Sequence, residues 1–234
     1  MMNEEKKLFA LADTHLSLFK EKPMSIFGDV WLEHHKKIEE NWKSVVSEND
    51  TVLIPGDISW AMTMEEAMPD LEFLDSLPGN KIILKGNHDY WWQSVSRLNN
   101  MFKTMKFLQN DFYVWENWAI CGSRGWMLPT DTKFEEADKK TYNRELKRYE
   151  LSLEGAVKKG NRDIIFMSHF PPLYTVCMET EFTKILEKYG VKKAIYGHLH
   201  GEESFESAFQ GEINGVEYSL VSADYLKFVP KRIV

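Results

Sequence analysis

Apolar residues along this chain follow two spacings, and the spacing changes from one segment to the next. Short runs rich in β-branched and aromatic residues are typical of buried strands, whereas apolar residues three or four positions apart are typical of amphipathic helices. Buried strands are predicted at residues 8–12, 51–54, 81–84, 163–167 and 193–196. Because helical segments lie between these strands, the pattern predicts an α/β fold with parallel strands.

The first predicted helix carries Ile38 and Trp42 on one side, and Asp29 is its expected N-cap. A capping box, in which a Ser or Thr and a residue three positions later satisfy the first N–H groups, indicates where a helix begins. Further helices are predicted from capping boxes at 63–66 and 132–135, the latter ending at Gly160, and near 93–103 and 182–189.

Two segments show the turn residues of antiparallel strands instead. Residues 106–122 are predicted to form short antiparallel strands, and residues 205–228 a meander that turns at Asn214-Gly215. No linker, repeat or low-complexity segment interrupts the chain. We therefore expect residues 1–234 to form one domain with two sheets and flanking helices.

Composition excludes several classes of protein. The 234 residues include 29 Lys and Arg against 36 Asp and Glu, and the net charge of −7 argues against a nucleic-acid surface. A hydrophobic content of 43% excludes a disordered or collagen-like chain. The longest uncharged stretch, 164–178, is shorter than the roughly 20 residues that span a bilayer. The first apolar segment reaches Asp13 too soon for a signal peptide, so a cytoplasmic location is expected.

Each predicted strand is followed by polar residues of the types that bind metal ions. The clusters are Asp13-Thr14-His15, Gly56-Asp57, Gly86-Asn87-His88-Asp89, Ser168-His169 and Gly197-His198-Leu199-His200. Ligands of open α/β sheets bind beyond the carboxyl ends of the strands, so the five clusters are expected to converge on one crevice. The glycines before three of them are expected to permit sharp turns and a close approach of the backbone to a bound group.

The most specific of these motifs is Gly86-Asn87-His88-Asp89, because chance rarely produces it. The ordered set D-x-H, G-D, G-N-H-D, a lone His after a strand and G-H-x-H resembles the calcineurin-like metallophosphoesterase superfamily. The resemblance implies a dinuclear-metal phosphohydrolase with a four-layer α/β/β/α sandwich of two mixed sheets and flanking helices. The motifs cover residues 13–200, and their flanks are most similar to small bacterial phosphohydrolases related to cyclic-nucleotide phosphodiesterases.

The resemblance also implies a role for each motif residue. One metal ion would be held by Asp13, His15, Asp57 and His200. The other would be held by Asp57, Asn87, His169 and His198, so that Asp57 bridges the two ions. His88 would stand beside the metals as a catalytic group, with Asp89 orienting it.

The second motif departs from the family pattern. Many members continue it as G-D-x-x-D-R, but here Asp57 is followed by Ile-Ser-Trp-Ala, which argues against the phosphoprotein-phosphatase branch. Arg124 follows a strand and is flanked by Gly122 and Gly125, so it is the candidate to bind the substrate phosphate in place of the missing arginine. The alternative is that Arg124 is simply an exposed charged residue on a surface loop.

The chemistry of the candidate ligands is consistent with this resemblance. They are all oxygen or imidazole donors, which suit Mn, Fe, Zn or Ni without selecting one. Two such ions about 3.5–4 Å apart can clamp a phosphoryl oxygen and provide a bridging hydroxide that attacks phosphorus in line. A poor leaving group needs a proton, and His88 is the one motif histidine that is not assigned as a ligand.

The predicted function is a metal-dependent phosphohydrolase, and by resemblance a phosphodiesterase, that acts on a small phosphorylated substrate such as a nucleotide. A phosphomonoesterase on a small metabolite and a non-catalytic scaffold of the same fold are the alternatives. A group of aromatic residues adjoins the second and third motifs and would either stack a nucleobase or pack in the core: Trp60, Tyr90, Trp91 and Trp92. Neither a membrane nor a nucleic-acid partner is expected.

Overall fold

The computed structural model describes residues 5–19, 24–161 and 163–234. The strands are β1 (Leu8–Ala10), β2 (Thr51–Ile54), β3 (Asn80–Leu84), β4 (Met105–Leu108), β5 (Phe112–Trp115), β6 (Trp118–Ser123), β7 (Asp163–Ser168), β8 (Lys193–Tyr196), β9 (Gly211–Ile213), β10 (Val216–Leu220) and β11 (Lys231–Arg232). The α-helices are α1 (His34–Val45), α2 (Met64–Ser76), α3 (Val95–Leu98), α4 (Asp138–Lys158), α5 (Glu181–Lys188) and α6 (Glu202–Ser207). Two short 3-10 helices, Met24–Phe27 and Asp29–Trp31, precede α1. None of these helices is long and apolar enough to cross a membrane.

The strands form two mixed sheets. The first has the order β11-β1-β2-β3-β4, with β1 to β4 parallel and β11 antiparallel at the edge. The second has the order β5-β6-β7-β8-β10-β9, with four parallel strands in the middle and an antiparallel strand at each edge. Parallel strands have their carboxyl ends at the same edge of a sheet, so each sheet presents a row of such ends to a ligand.

Alternation of side chains along the strands builds a four-layer core. Leu8 and Ala10 of β1 belong to a cluster that fills the space between the two sheets, whereas Phe9 belongs to the cluster beneath α1 and α2. Phe166 of β7 packs beneath α4 and α5 in the same alternating way, and Ile165 faces the other sheet. Successive residues of a strand point to opposite faces, so strands covered on both sides are apolar throughout. The predicted α/β/β/α sandwich is confirmed.

Several predicted elements have different boundaries in the structure. The long helix begins at Asp138 instead of at the capping box 132–135, because Asp131 and Asp138 accept hydrogen bonds from Lys133 N (2.9 Å) and Glu135 N (2.9 Å) and hold this segment in turns. Asp29 likewise does not cap α1, since residues 29–31 form a 3-10 helix. Near 93–103, only Val95–Leu98 is α-helical.

The two antiparallel segments also differ from their predictions. Residues 106–122 divide between the sheets: β4 pairs in parallel with β3, and β5 and β6 form a hairpin in the second sheet. In the tail, the hairpin at Asn214-Gly215 is confirmed, with positive φ at both residues (49° and 80°), as a tight hairpin turn requires. The meander itself is wrong, because α6 precedes this hairpin and β10 pairs in parallel with β8.

Candidate metal centre

All five polar clusters lie at the carboxyl ends of parallel strands. Asp13 and His15 follow β1, Asp57 follows β2, and Asn87 follows β3 in the first sheet. From the second sheet come His169 after β7, and His198 and His200 after β8. The structure brings these seven side chains together, and the two sheets contribute facing halves of one site.

The backbone at this site adopts a left-handed conformation that residues other than glycine rarely take. The φ angle is positive at Asp13 (58°), His15 (42°), Asp57 (52°) and His198 (73°). Hydrogen bonds between the loops hold the strained segments, among them His15 N to Asp57 O (3.0 Å) and Asp13 N to Gly56 O (2.9 Å). Strain of this kind persists where surrounding structure over-determines it, and it is concentrated at functional sites.

Glycines at the site make room for carboxylates. A Cβ atom on Gly86 would lie 2.0 Å from Asp57 Oδ1, and one on Gly197 would lie 2.2 Å from Asp13 Oδ2. Of the three motif glycines, Gly56 alone has a positive φ, at 96°. These glycines were expected to permit the close approach of a bound group, but the group that approaches Gly86 and Gly197 is the carboxylate of a neighbouring cluster.

One group of potential ligand atoms comprises Asp13, His15 and His200. His15 Nε2 lies 3.1 Å from His200 Nε2, and His200 Nε2 lies 3.7 Å from Asp13 Oδ1. Asp13 and His15 are completely or almost completely buried. Three donor atoms that converge in this way, with two imidazole nitrogens facing each other, suit a borderline divalent cation.

A second group comprises Asp57, His169 and His198, with Asn87 beside it. His169 Nε2 lies 3.3 Å from Asp57 Oδ2, 3.3 Å from His198 Nδ1 and 2.6 Å from Asn87 Oδ1. These are again oxygen and nitrogen donors, with no thiolate. The second group therefore fits the same class of ion as the first.

Asp57 lies between the two groups. Its Oδ2 atom is 3.3 Å from His169 Nε2 and 3.8 Å from His15 Nε2, so this atom contacts one imidazole of each group. Its other oxygen, Oδ1, accepts a hydrogen bond from the backbone N–H of His88 (2.8 Å). This position is the one that a carboxylate shared by two ions would occupy.

Hydrogen bonds to the far side of two imidazoles orient them. His169 Nδ1 lies 3.0 Å from the carbonyl oxygen of Pro55, and His200 Nδ1 lies 3.0 Å from Asp224 Oδ1. An Nδ1 that donates outwards turns Nε2 towards the site, which is the usual arrangement of metal-binding histidines. Asp224 was not among the predicted site residues, because it belongs to no motif and its one signal in the sequence is that it follows β10 at the same edge.

Asp89 is completely buried and fixes the loops around Asp57. Its carboxylate accepts hydrogen bonds from five donors: Gly86 N (2.8 Å), Ile58 N (2.9 Å), Asp57 N (3.0 Å), Trp91 Nε1 (3.1 Å) and Ser59 N (3.3 Å). Burial and the charge of Asp57 raise the pKa of Asp89 to about 7, against the opposing effect of these N–H groups. Orientation of His88 by Asp89 stays a prediction, whereas these contacts show that Asp89 positions the Asp57 backbone.

Burial and charge also set the protonation of the ligand groups. Burial lowers the pKa of His15 and of His198 well below the usual value, which keeps both imidazoles neutral and able to donate a lone pair. Burial opposes ionisation of Asp57, but His169, His15 and His88 together outweigh it and hold the pKa of Asp57 well below its usual range. Against the effect of burial, Asp57 raises the pKa of His169 to about 9. The site thus favours positive charge next to Asp57.

A cavity of about 240 Å³ opens above these groups. It is lined by His15, Asp57, Trp60, His88, His198, Leu199, His200 and Ser204. The Trp60 indole stacks on the His15 imidazole, with 4.7 Å between ring centroids, and lies 4.4 Å from the His88 ring. Among the described residues, no Lys or Arg lines this cavity.

The other candidate residues lie elsewhere. Trp91 is buried in the core, Trp92 packs on Phe107, and Tyr90 is 59% exposed beside the His88 ring. Arg124 does not line the cavity above the ligand groups. Its guanidinium packs 4.5 Å from the Trp126 ring and lines a neighbouring cavity instead.

Comparisons with known proteins are consistent with this geometry. A family model described as calcineurin-like phosphoesterase matches residues 6–202. The gene 66 protein of Mycobacterium phage L5 is 33% identical over 78 residues, and the match spans 33% of this chain and 37% of the phage protein. A phosphopantetheinyl hydrolase from Mycobacterium tuberculosis has a similar structure, with a TM-score of 0.60 and 16% identity over 98% of this chain and 96% of that one. A protein of unknown function from Aquifex aeolicus also has a similar structure, with a TM-score of 0.54 and 17% identity over 97% of this chain and 96% of that one.

Proposed function

We propose that this chain, which belongs to the calcineurin-like phosphoesterase family, is a metal-dependent phosphoester hydrolase that cleaves phosphodiesters at a dinuclear centre. The observation that carries the proposal is the pair of converging donor groups with Asp57 between them. Asp13, His15 and His200 would hold one ion. Asn87, His169 and His198 would hold the other, and Asp57 would contact both. Two divalent ions bound there would activate a water nucleophile and neutralise charge on the phosphoryl group.

The cavity wall supports a diester substrate over a monoester. A phosphomonoester carries up to two negative charges, and enzymes commonly bind such groups with Arg or Lys. The described part of this cavity wall offers imidazoles, Trp60 and Leu199, but no Lys or Arg. A diester carries one negative charge and two organic groups, for which the Trp60 and Leu199 side chains of this wall offer apolar contacts.

His88 is the proposed proton donor to the leaving group. It lines the cavity, is partly exposed, and its backbone N–H is anchored on Asp57 Oδ1, which keeps it next to the donor groups. The indole of Trp60 packs against its ring at 4.4 Å and limits its movement. A positioned imidazole can protonate a departing alkoxide, and such help typically contributes about 10² to 10⁴ in rate.

The proposed substrate is a small molecule such as a nucleotide. Trp60 forms part of the cavity wall, and the largely exposed ring of Tyr90 lies 6.4 Å from the His88 ring. Aromatic faces at the rim of a phosphate site can stack a nucleobase. We further propose that the enzyme acts in the cytoplasm, which the two free cysteines, Cys121 and Cys177, support.

The experiment compares two nitrophenyl esters with the purified chain loaded with Mn, Fe, Zn or Ni in turn. A phosphodiesterase cleaves bis-nitrophenyl phosphate with a higher kcat/KM than nitrophenyl phosphate. The reverse order would assign a phosphomonoesterase, and cleavage of neither ester with any of the metals would assign a scaffold. A panel of cyclic nucleotides, nucleotides and sugar phosphates then tests the substrate class.

A further inference from the structure

A second cavity, of about 210 Å³, lies one strand further along the same edge of the sheets. It will be called the basic cavity, and it is lined by Leu84, Lys85, Leu108, Gln109, Asn110, Ser123, Arg124, Arg144 and Arg148. These residues come from the carboxyl ends of β3, β4 and β6 and from α4. Its place in the fold is equivalent to that of the metal centre, because strand ends of both sheets meet there.

The charges of the basic cavity are unbalanced. Four of its nine lining residues are basic and none is acidic. Glu145 lies behind the wall, completely buried, with its Oε1 atom 2.7 Å from Arg148, 3.5 Å from Arg144 and 3.7 Å from Arg124. One carboxylate thus faces three guanidinium groups and leaves most of their charge uncompensated. A concentration of positive charge in a chain of net charge −7 requires a local explanation.

Glu145 and its neighbours hold the cationic groups in place. The Ser123 hydroxyl donates to Glu145 Oε2 (2.8 Å), so the carboxylate is fixed between β6 and α4. The Arg124 guanidinium packs against the Trp126 ring, and its buried Nε–H has no hydrogen-bond partner among the described residues. The Lys85 side chain lines the same cavity and adds an ammonium group to these donors. Donors are therefore in excess over acceptors.

We propose that the basic cavity binds a phosphate-type oxyanion. Guanidinium groups bind such oxyanions with paired, charge-assisted hydrogen bonds, and Lys85 would add a fourth positive charge. Gln109 and Asn110 supply neutral amide donors at the same wall. The oxyanion would occupy the position where the three arginines and Lys85 face a common space, and it would relieve their mutual repulsion.

The basic cavity is connected to the metal centre through the backbone. The carbonyl oxygen of Arg124 accepts hydrogen bonds from His169 N (3.1 Å) and Phe170 N (2.9 Å), and Lys85 directly precedes Gly86 of the third motif. The oxyanion therefore has two possible sources. It is either a second phosphate group of the substrate, which rests on the proposed function, or free phosphate that binds on its own.

The test of the site itself is calorimetric titration of the metal-loaded full chain with inorganic phosphate, and again after chelation of the metal. We expect binding that survives chelation and weakens about tenfold to a hundredfold in Arg144→Gln and in Arg148→Gln, as loss of a charge-assisted contact predicts. Lys147→Gln is the matched control, since Lys147 lies exposed on α4 and does not line the basic cavity. Thermal unfolding verifies that each variant is folded.

Kinetics then distinguish the two sources. If the substrate supplies the oxyanion, Arg144→Gln raises KM for a diphosphate-containing substrate and leaves bis-nitrophenyl phosphate unaffected. If free phosphate supplies it, added phosphate changes turnover of bis-nitrophenyl phosphate more in the Lys147→Gln control than in Arg144→Gln, and the change common to both variants reports phosphate bound at the metal centre. The proposal is overturned if the chelated chain binds no phosphate, or if both arginine variants bind it as tightly as the control. Phosphate binding in the basic cavity needs no metal. A chain that binds phosphate but has no hydrolase activity would therefore contradict the proposed function and leave the oxyanion site standing.

Discussion

The metal centre and the basic cavity lie at the same edge of the two sheets but are built differently. The metal centre consists of short side chains on backbone held at positive φ, packed so closely that Gly86 and Gly197 leave no space for a Cβ. The basic cavity consists mainly of long side chains from the ends of three strands and from α4, and its three arginines surround Glu145. Its three arginine side chains remain partly exposed, from 19% for Arg124 to 49% for Arg144.

These two constructions suit two ways of binding a charged group. A metal ion requires ligand atoms at short, fixed distances, and a strained backbone with interlocked loops can provide them. An oxyanion requires donors and positive charge, which long side chains supply with more freedom. Substitutions at the metal centre should therefore cause losses that neighbouring residues cannot replace, whereas single substitutions in the basic cavity should cause graded losses.

The largest effect is expected from Asp57→Asn. Asp57 is the carboxylate that contacts both donor groups, so the variant should lose bound metal and nearly all activity together. Elemental analysis and the diester assay measure the two losses. Asp163→Asn, at the opposite end of β7, is the control and should retain both. Two tightly held ions with full activity in Asp57→Asn would contradict the role assigned to this residue.

Gly86→Ala tests whether close packing is what builds the metal centre. The new methyl group would lie 2.0 Å from Asp57 Oδ1 and 2.2 Å from Asp57 N, so Asp57 must move. We expect loss of metal and a lower melting temperature. Gly155→Ala, inside α4 and at ordinary contact distance from Phe112, should instead raise stability by about 0.5–1 kcal/mol. An unchanged metal content in Gly86→Ala would show that the close packing is dispensable.

His88→Ala separates proton donation from metal binding. The variant should keep its metal and most of its activity towards a nitrophenyl ester, which needs no proton on departure. Towards an alkyl or nucleoside ester it should lose about 10²- to 10⁴-fold in kcat. His35→Ala, on α1 and outside the cavity, is the control. Equal losses on both kinds of ester would assign His88 to phosphate positioning, and loss of metal would make it a ligand.

Asp224→Ala removes the carboxylate that orients His200. The hydrogen bond to His200 Nδ1 (3.0 Å) would be lost, and metal affinity should fall by about 10- to 100-fold, as is typical for such supporting residues. Competition with a chelator of known affinity measures the change. Affinity equal to that of an Asp163→Ala control would mean that His200 is oriented by other contacts.

The smallest effect on metal binding is expected from Glu145→Gln, because Glu145 lies behind the wall of the basic cavity and contacts none of the ligand groups. Loss of the buried charge should lower stability by about 1.5–3 kcal/mol, or several degrees in melting temperature. Added phosphate should raise the melting temperature of this variant more than that of the unaltered chain, because more of the arginine charge is then uncompensated. An equal rise in both proteins would contradict binding in this cavity.

The sequence by itself determined the fold class and where chemistry should be sought. Each predicted buried strand is present in the structure, since strands that are apolar on both faces have a local pattern. The polar clusters that follow these strands meet because parallel strands of a layered sheet end at one edge. Helix starts were less predictable: residues 132–135 have the sequence of a capping box, but Asp138 accepts the Glu135 N–H bond that the box would use, and Asp131 accepts one from Lys133 N.

Only the tertiary structure decided which of these residues contact each other. Asp224 meets His200, and Glu145 gathers three arginines, through contacts between elements that no local pattern records. The place of Arg124 was also decided by tertiary contacts. Its glycine-flanked position indicated a phosphate-binding role, but the packing of β6 against α4 directs its side chain to the basic cavity instead of the metal centre. Local sequence fixes backbone periodicity and strand ends, whereas the direction of a long side chain depends on charges and volumes that distant segments supply.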